Sequence, residues 1–182
     1  MDNNRQKEFK EIMSNAFTGD ALNLLTNLLD LLGFFMAPAS TKFHGAYPGG
    51  LYDHSFEVTR SLVDLTEKLS LKWERPESPY IVGMLHDLCK IDAYIINDDG
   101  TITKNENMYL KGHGDKSVVL AGYFLRALGM ELTKEEITCI LWHMGAYDKS
   151  ENWPLLNAAI KEFPNVLWTH TADMVASQIK EC

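Results

Sequence analysis

The sequence predicts a single all-α domain, and three observations lead to it. Apolar residues recur at helical spacing in several separate stretches. Histidines and aspartates stand at intervals of roughly thirty residues, about the length of a helix and its connection. One short segment alone reads as β. A chain of 182 residues with 46% hydrophobic residues can close one substantial core and is short for two. The expected organisation is therefore one domain over 1–182, with 1–48 as a helical extension packed on the rest.

Leu22, Leu25, Leu28, Leu29 and Leu32 repeat at helical spacing, which predicts an amphipathic helix over 20–36, stopped near Pro38. The next stretch, 38–50, holds two prolines and three glycines and reads as a loop able to form one wall of a pocket. Helices follow over 52–69, with Phe56, Val63 and Leu65 as inward candidates, and over 78–89. Between Tyr94 and Thr103 an Asp99-Gly100 turn separates two β-prone dipeptides, so a small hairpin is expected. Helical pattern resumes over 115–128 and is closed by Gly129. Thr133 and Glu136 make a capping box for a helix running to about Met144. A last helix is expected over 165–179, and the domain as a whole is expected to hold about seven or eight helices.

The formal net charge of −8 and pI near 5.2 exclude a broad basic surface for extended nucleic acid. A local pocket holding divalent cations could still take a nucleotide. Cys89, Cys139 and Cys182 contain no CxxC pair, which points to reduced thiols and a cytoplasmic protein. The apolar stretch 21–36 is interrupted by Asn23, Thr26, Asn27 and Asp30 and is short for a membrane span. The mixed charges before it do not form a signal peptide.

The chemistry centres on His86 and Asp87, set in Gly83-Met84-Leu85-His86-Asp87-Leu88-Cys89-Lys90. A carboxylate in an apolar run is costly to bury unless its charge is compensated, and a metal ion does so. His54 upstream and His113, His143 and Asp173 downstream supply partners. One ligand per helix is how helical bundles build metal centres. Lys90 lies one turn from both residues of the pair, so its ammonium can reach the same pocket. His170 at i−3 and Ser177 at i+4 flank Asp173 as substrate contacts or supports. Ser117, at i+4 from His113, either orients that ligand or caps a helix. Trp142 and Tyr147 flank the fourth station; Tyr147 is a candidate to stack on a base, whereas Trp142 reads as packing. Asp53 reads as a solvated helix-start residue. Cys89 has no dedicated base beside it and does not read as a nucleophile.

Taken together, Gly50 to His54 (GxxxH), His86 to Lys90 (HDxxK), Gly112 to Ser117 (GHxxxS) and Ala172-Asp173 resemble the HD-domain superfamily of metal-dependent phosphohydrolases over about 49–177. The run is most similar to the HD module of bacterial 3'-to-5' exoribonucleases that pair it with an OB-fold, and no OB-fold is present in this sequence. The resemblance implies an HD-type helical bundle with a binuclear centre. His54, His86, Asp87 and Asp173 would hold one ion, and Asp87 would bridge to a second held by His113 and His143. Imidazole and carboxylate donors suit two divalent transition-metal ions, Mn, Fe, Co, Ni or Zn. Asp87 and Lys90 are then the catalytic candidates, and attack on the phosphorus would come from a hydroxide bridging the metals. The expected partner is a small phosphorylated substrate, a nucleotide or short oligonucleotide, with no membrane; nothing in the pattern sets an oligomeric state. Two alternatives share the ligand series: an HD-fold di-iron oxygenase, and a nucleotide-sensing module that retains its metals without turnover.

Overall fold

The computed structural model describes residues 3–180; Cys182 lies outside them. Among the described residues there are eight α-helices and one two-stranded sheet. In chain order these are α1 (Asn3–Met13), α2 (Gly19–Leu31), α3 (Gly50–Leu69), α4 (Ser78–Leu85), β1 (Tyr94–Ile96), β2 (Ile102–Lys104), α5 (Gly114–Ala127), α6 (Lys134–Leu141), α7 (Trp153–Glu162) and α8 (Asn165–Gln178). The expected all-α bundle with a small hairpin is the observed architecture. No helix of the described residues is long and apolar enough to cross a membrane.

The long helix α3 is central and packs most extensively against α4 and α8. It buries Leu51, Tyr52, Val58 and Leu62, while Phe56 and Leu65 lie at the margin of the core. The closeness of α4 depends on Gly83, because a Cβ there would meet the Cα of Thr59 at 2.6 Å. Without that side chain the two helices approach far enough to bring His86 beside His54. Phe9 and Met13 of α1 and Leu25 and Leu29 of α2 join the same core, where Phe9 meets Phe35 edge-on at 5.5 Å between ring centroids.

Asp53, expected in solvent, instead receives Arg5 of α1 in a forked pair at 2.8 and 2.9 Å. At the far end, the capping box of α6 forms as expected between Thr133 and Glu136. The Glu136 carboxylate also accepts from Arg75 at 2.7 and 2.6 Å and from the Ser78 hydroxyl at 2.8 Å. A fully buried glutamate is thus satisfied on every side, and it fastens α6 to the start of α4.

Three helix ends differ from the sequence reading. The helix α2 stops at Leu31, where Gly33 adopts φ +82° and turns Phe34 and Phe35 into the core. The α4 helix stops at Leu85, two residues before Asp87, whose backbone at φ −110°, ψ 21° leaves the helix and opens the 3-10 turn Leu88–Asp92. The α6 helix stops at Leu141, so His143 sits in a turn after it. The helix α7 was not expected; only Ala159 of its ten residues is buried, so the pattern there is faint. The hairpin has the register Tyr94 to Lys104, Ile95 to Thr103 and Ile96 to Ile102.

Candidate metal centre

Five separate elements deliver the polar cluster. His54 lies on the second turn of α3, and His86 and Asp87 at the break after α4. His113 immediately precedes α5, His143 follows α6, and Asp173 is on α8. His54, His86 and His143 are fully buried, and Asp87 is 2% exposed.

Asp87 is at the middle of the group. Its Oδ2 lies 3.5 Å from both His54 Nε2 and His86 Nε2, while its Oδ1 lies 3.1 Å from His113 Nε2 and 3.4 Å from His143 Nε2. His54 Nε2 also stands 3.2 Å from Asp173 Oδ1 and 3.3 Å from His86 Nε2. The sequence-predicted ligands therefore converge, and the two oxygens of Asp87 face different histidine pairs.

The ring orientations are fixed from behind. His86 Nδ1 lies 2.8 Å from the Gly83 carbonyl and His143 Nδ1 lies 2.6 Å from that of Ile140. A carbonyl only accepts, so each Nδ1 carries the proton and each Nε2 turns a lone pair inward. Inward lone pairs crowded against two carboxylates suit a cation. His143 Nε2, buried and without a hydrogen bond among the described residues, points the same way. Three overlapping groups have donor atoms within 4.8 Å of one another: His54, His86 and Asp87; His86, His143 and Asp173; and Asp87, Cys89 and His113.

The electrostatics at His86, Asp87 and Asp173 fit a site that binds cations. Burial, reinforced by His143 and His54, pushes His86 down to about 3. Burial by itself would raise the Asp87 carboxyl, but the Lys90 ammonium, His86 and a hydrogen bond from His113 outweigh it and hold the group well below its usual range. Asp173 is lowered in the same way, burial being outweighed first by its hydrogen bond with His54 and then by the neighbouring histidines. Neutral imidazoles and ionised carboxylates are the forms that ligate metals.

The remaining sequence candidates fall around this cluster. Lys90 Nζ lies 2.7 Å from Asp87 Oδ2 and is almost wholly buried, so its ammonium is engaged by the carboxylate. Ser117 accepts the Cys89 backbone N–H at 3.1 Å and ties α5 to the 3-10 turn; its hydroxyl does not hold the His113 ring. His170 donates from Nδ1 to the His143 carbonyl at 2.8 Å and so braces that turn. Ser177 and Tyr147 line a cavity of about 630 Å³ whose wall also includes Asp87, Lys90 and Asp173. Trp142 packs against the core, away from that lining.

Two further residues stand at the site: Cys89, read from the sequence as no nucleophile, and His44, which the sequence reading did not single out. Cys89 places its Sγ 3.3 Å from His113 Nδ1 and 3.8 Å from Asp87 Oδ1. Burial and the Asp87 charge push its thiol up to about 12, in keeping with an unreactive thiol. His44 comes from the 38–50 loop, and its ring lies against His54 at 4.8 Å between centroids. Burial, then the charges of His54 and Lys90, push it down to about 4. Only its position in a Gly- and Pro-rich loop before His54 could have drawn attention to it.

Fold and site together define an all-α domain with a buried His/Asp cluster beside a cavity. No family model matches the chain, and no solved structure matches it. Among curated proteins, a stretch of 68 residues is 35% identical to dihydroneopterin 2',3'-cyclic phosphate phosphodiesterase of Methanocaldococcus jannaschii. The match covers 36% of this chain and 27% of that protein, so the chain matches about a quarter of the relative's length. The likeness is to a phosphodiesterase and lends nothing to the narrower comparison with OB-fold exoribonucleases.

Proposed function

We propose that this protein is a metal-dependent phosphohydrolase that cleaves a small phosphate ester, of the nucleotide or phosphodiester class. The observation that carries the reading is the convergence of four Nε2 atoms on the two oxygens of Asp87, beside a cavity of substrate size. The similarity to a phosphodiesterase supports hydrolysis of a phosphate ester over other uses of the same ligand set.

In this reading His54, His86, Asp87 and Asp173 hold one divalent ion, and Asp87, His113 and His143 hold a second. When bound, such ions lower the pKa of water and polarise a phosphoryl oxygen. The chain's own residues supply the rest. The Gly83 and Ile140 carbonyls fix the tautomers and aim the rings of His86 and His143. Lys90 offsets the Asp87 charge and leaves a cation at the cavity wall, near where a phosphate would sit. Tyr147, exposed at the cavity, offers a face on which a flat ring can stack.

The test is hydrolysis of a phosphomonoester and phosphodiester panel by protein loaded with Mn, Fe, Co, Ni or Zn, against chelated protein and Asp87→Ala. Metal-dependent phosphate-ester cleavage that is lost in Asp87→Ala is expected. Cleavage by metal-free Asp87→Ala at the wild-type rate would contradict the reading. So would oxygen consumption by an iron-loaded protein with no hydrolysis of any ester.

A further inference from the structure

The cavity beside the cluster is lined by one buried side-chain polar atom that no hydrogen bond satisfies among the described residues. His44 lines it together with Asp87, Lys90 and Asp173, and its Nε2 is buried with no hydrogen-bond partner among the described residues. A buried ring nitrogen left without a partner is costly, and such groups are kept where a ligand completes them.

The loop that carries His44 is held for the purpose. Ser40 Oγ donates to the His44 carbonyl at 2.9 Å and accepts the Phe43 N–H at 2.8 Å. The Ala39 N–H reaches the Gly45 carbonyl at 2.8 Å. Gly45 adopts φ +62°, and its carbonyl occupies the space that a side chain on Gly50 would need, which seats the loop on the first turn of α3. The imidazole is then stacked on His54, with 35° between the rings. It belongs to none of the donor groups close enough together to share a metal ion.

His44 Nε2 is the one buried side-chain polar atom of the lining residues left without a hydrogen-bond partner among the described residues, whereas the Lys90 ammonium is shared with Asp87 and Ser40 Oγ is used within the loop. We propose that His44 is a substrate-binding residue whose Nε2 hydrogen-bonds an oxygen of the substrate's phosphate in this cavity. The identity of the ligand rests on the phosphohydrolase reading; the placement of His44 does not.

Two variants separate hydrogen bonding from ring stacking. His44→Phe keeps a ring against His54 and removes Nε2, whereas His44→Gln keeps an N–H donor and removes the ring. The metal-loaded wild type, both variants and the exposed loop variant Lys42→Ala are titrated with inorganic phosphate by calorimetry. Metal content is measured alongside, as are kcat and KM on whichever ester the wild type cleaves. His44→Phe should bind phosphate about ten-fold or more weakly, the cost of one hydrogen bond to a charged group. It should also raise KM, while His44→Gln recovers most of the binding and Lys42→Ala matches the wild type. A wild type that binds phosphate through His44 but cleaves no ester would sustain this proposal and defeat the phosphohydrolase reading. The proposal is overturned if the wild type binds no phosphate, if His44→Phe binds it as the wild type does, or if both variants lose their metal.

Discussion

Replacing Asp87 by Asn keeps the side chain's shape and removes its charge, so the response isolates the electrostatics of the cluster. In the metal-free protein the nearest cation is Lys90 Nζ at 2.7 Å, on a side chain only 10% exposed. Its ammonium is held in the charged form against the cost of burial chiefly by Asp87, with a smaller contribution from Asp173. Removing one partner of a buried pair costs about 3–5 kcal/mol, and the residual help from Asp173 places this case near the lower end, about 3 kcal/mol. Urea unfolding followed by circular dichroism in the presence of chelator measures it. The folded variant should retain wild-type helical content, because a domain of ordinary stability, about 5–15 kcal/mol, survives that loss. The same substitution replaces one of the two oxygens that face the histidine pairs by an NH2 group and leaves the other uncharged, so metal retention should collapse as well. A loss below about 1 kcal/mol, the value of an exposed pair, would refute the buried-pair argument.

Acidification should destabilise the metal-free protein. His44 and His86 have folded-state values of about 4 and about 3 against an ordinary 6.5, so the unfolded chain takes up protons first and stability falls as pH drops below 6.5. The lowered Asp87 and Asp173 act in the same sense at lower pH, and a melting temperature that rises from pH 6.5 toward pH 4 would contradict both assignments. Gly83→Ala should cost about 1–3 kcal/mol in urea unfolding by forcing α4 off Thr59, and should weaken metal retention by moving His86. Unchanged stability would mean that the helices can separate freely. Glu136→Ala strands Arg75, Ser78 and the Thr133 N–H together, and a loss of about 3 kcal/mol is expected from the same denaturation curve.

The parts of this structure legible in the sequence are those set by local pattern. The helices α3, α5 and α8 follow from apolar periodicity, the α6 start from Thr133 and Glu136, and the hairpin from Asp99-Gly100. The positions of His54, His86, Asp87, His113, His143 and Asp173 were legible from motif spacing, and the fold brings them together. What local pattern did not carry was set by contacts distant in sequence. The α4 helix ends early because the backbone at Asp87 turns to face His54, His113 and His143 from three other elements, a requirement absent from its own apolar run. The α7 helix leaves most of its surface in solvent, so its periodicity is weak. His44 reaches the cluster only because Gly45 and Gly50 let the loop close onto α3, which no helical or strand period records.

The central claim is that the cluster around Asp87 is a metal centre. Elemental analysis of the purified wild type and of Asp87→Ala, after loading with divalent transition metals and exhaustive dialysis, tests it most directly. Two ions per wild-type chain and none in the variant are expected. A wild type that retains no transition metal, or a variant that retains as much as the wild type, would contradict the account.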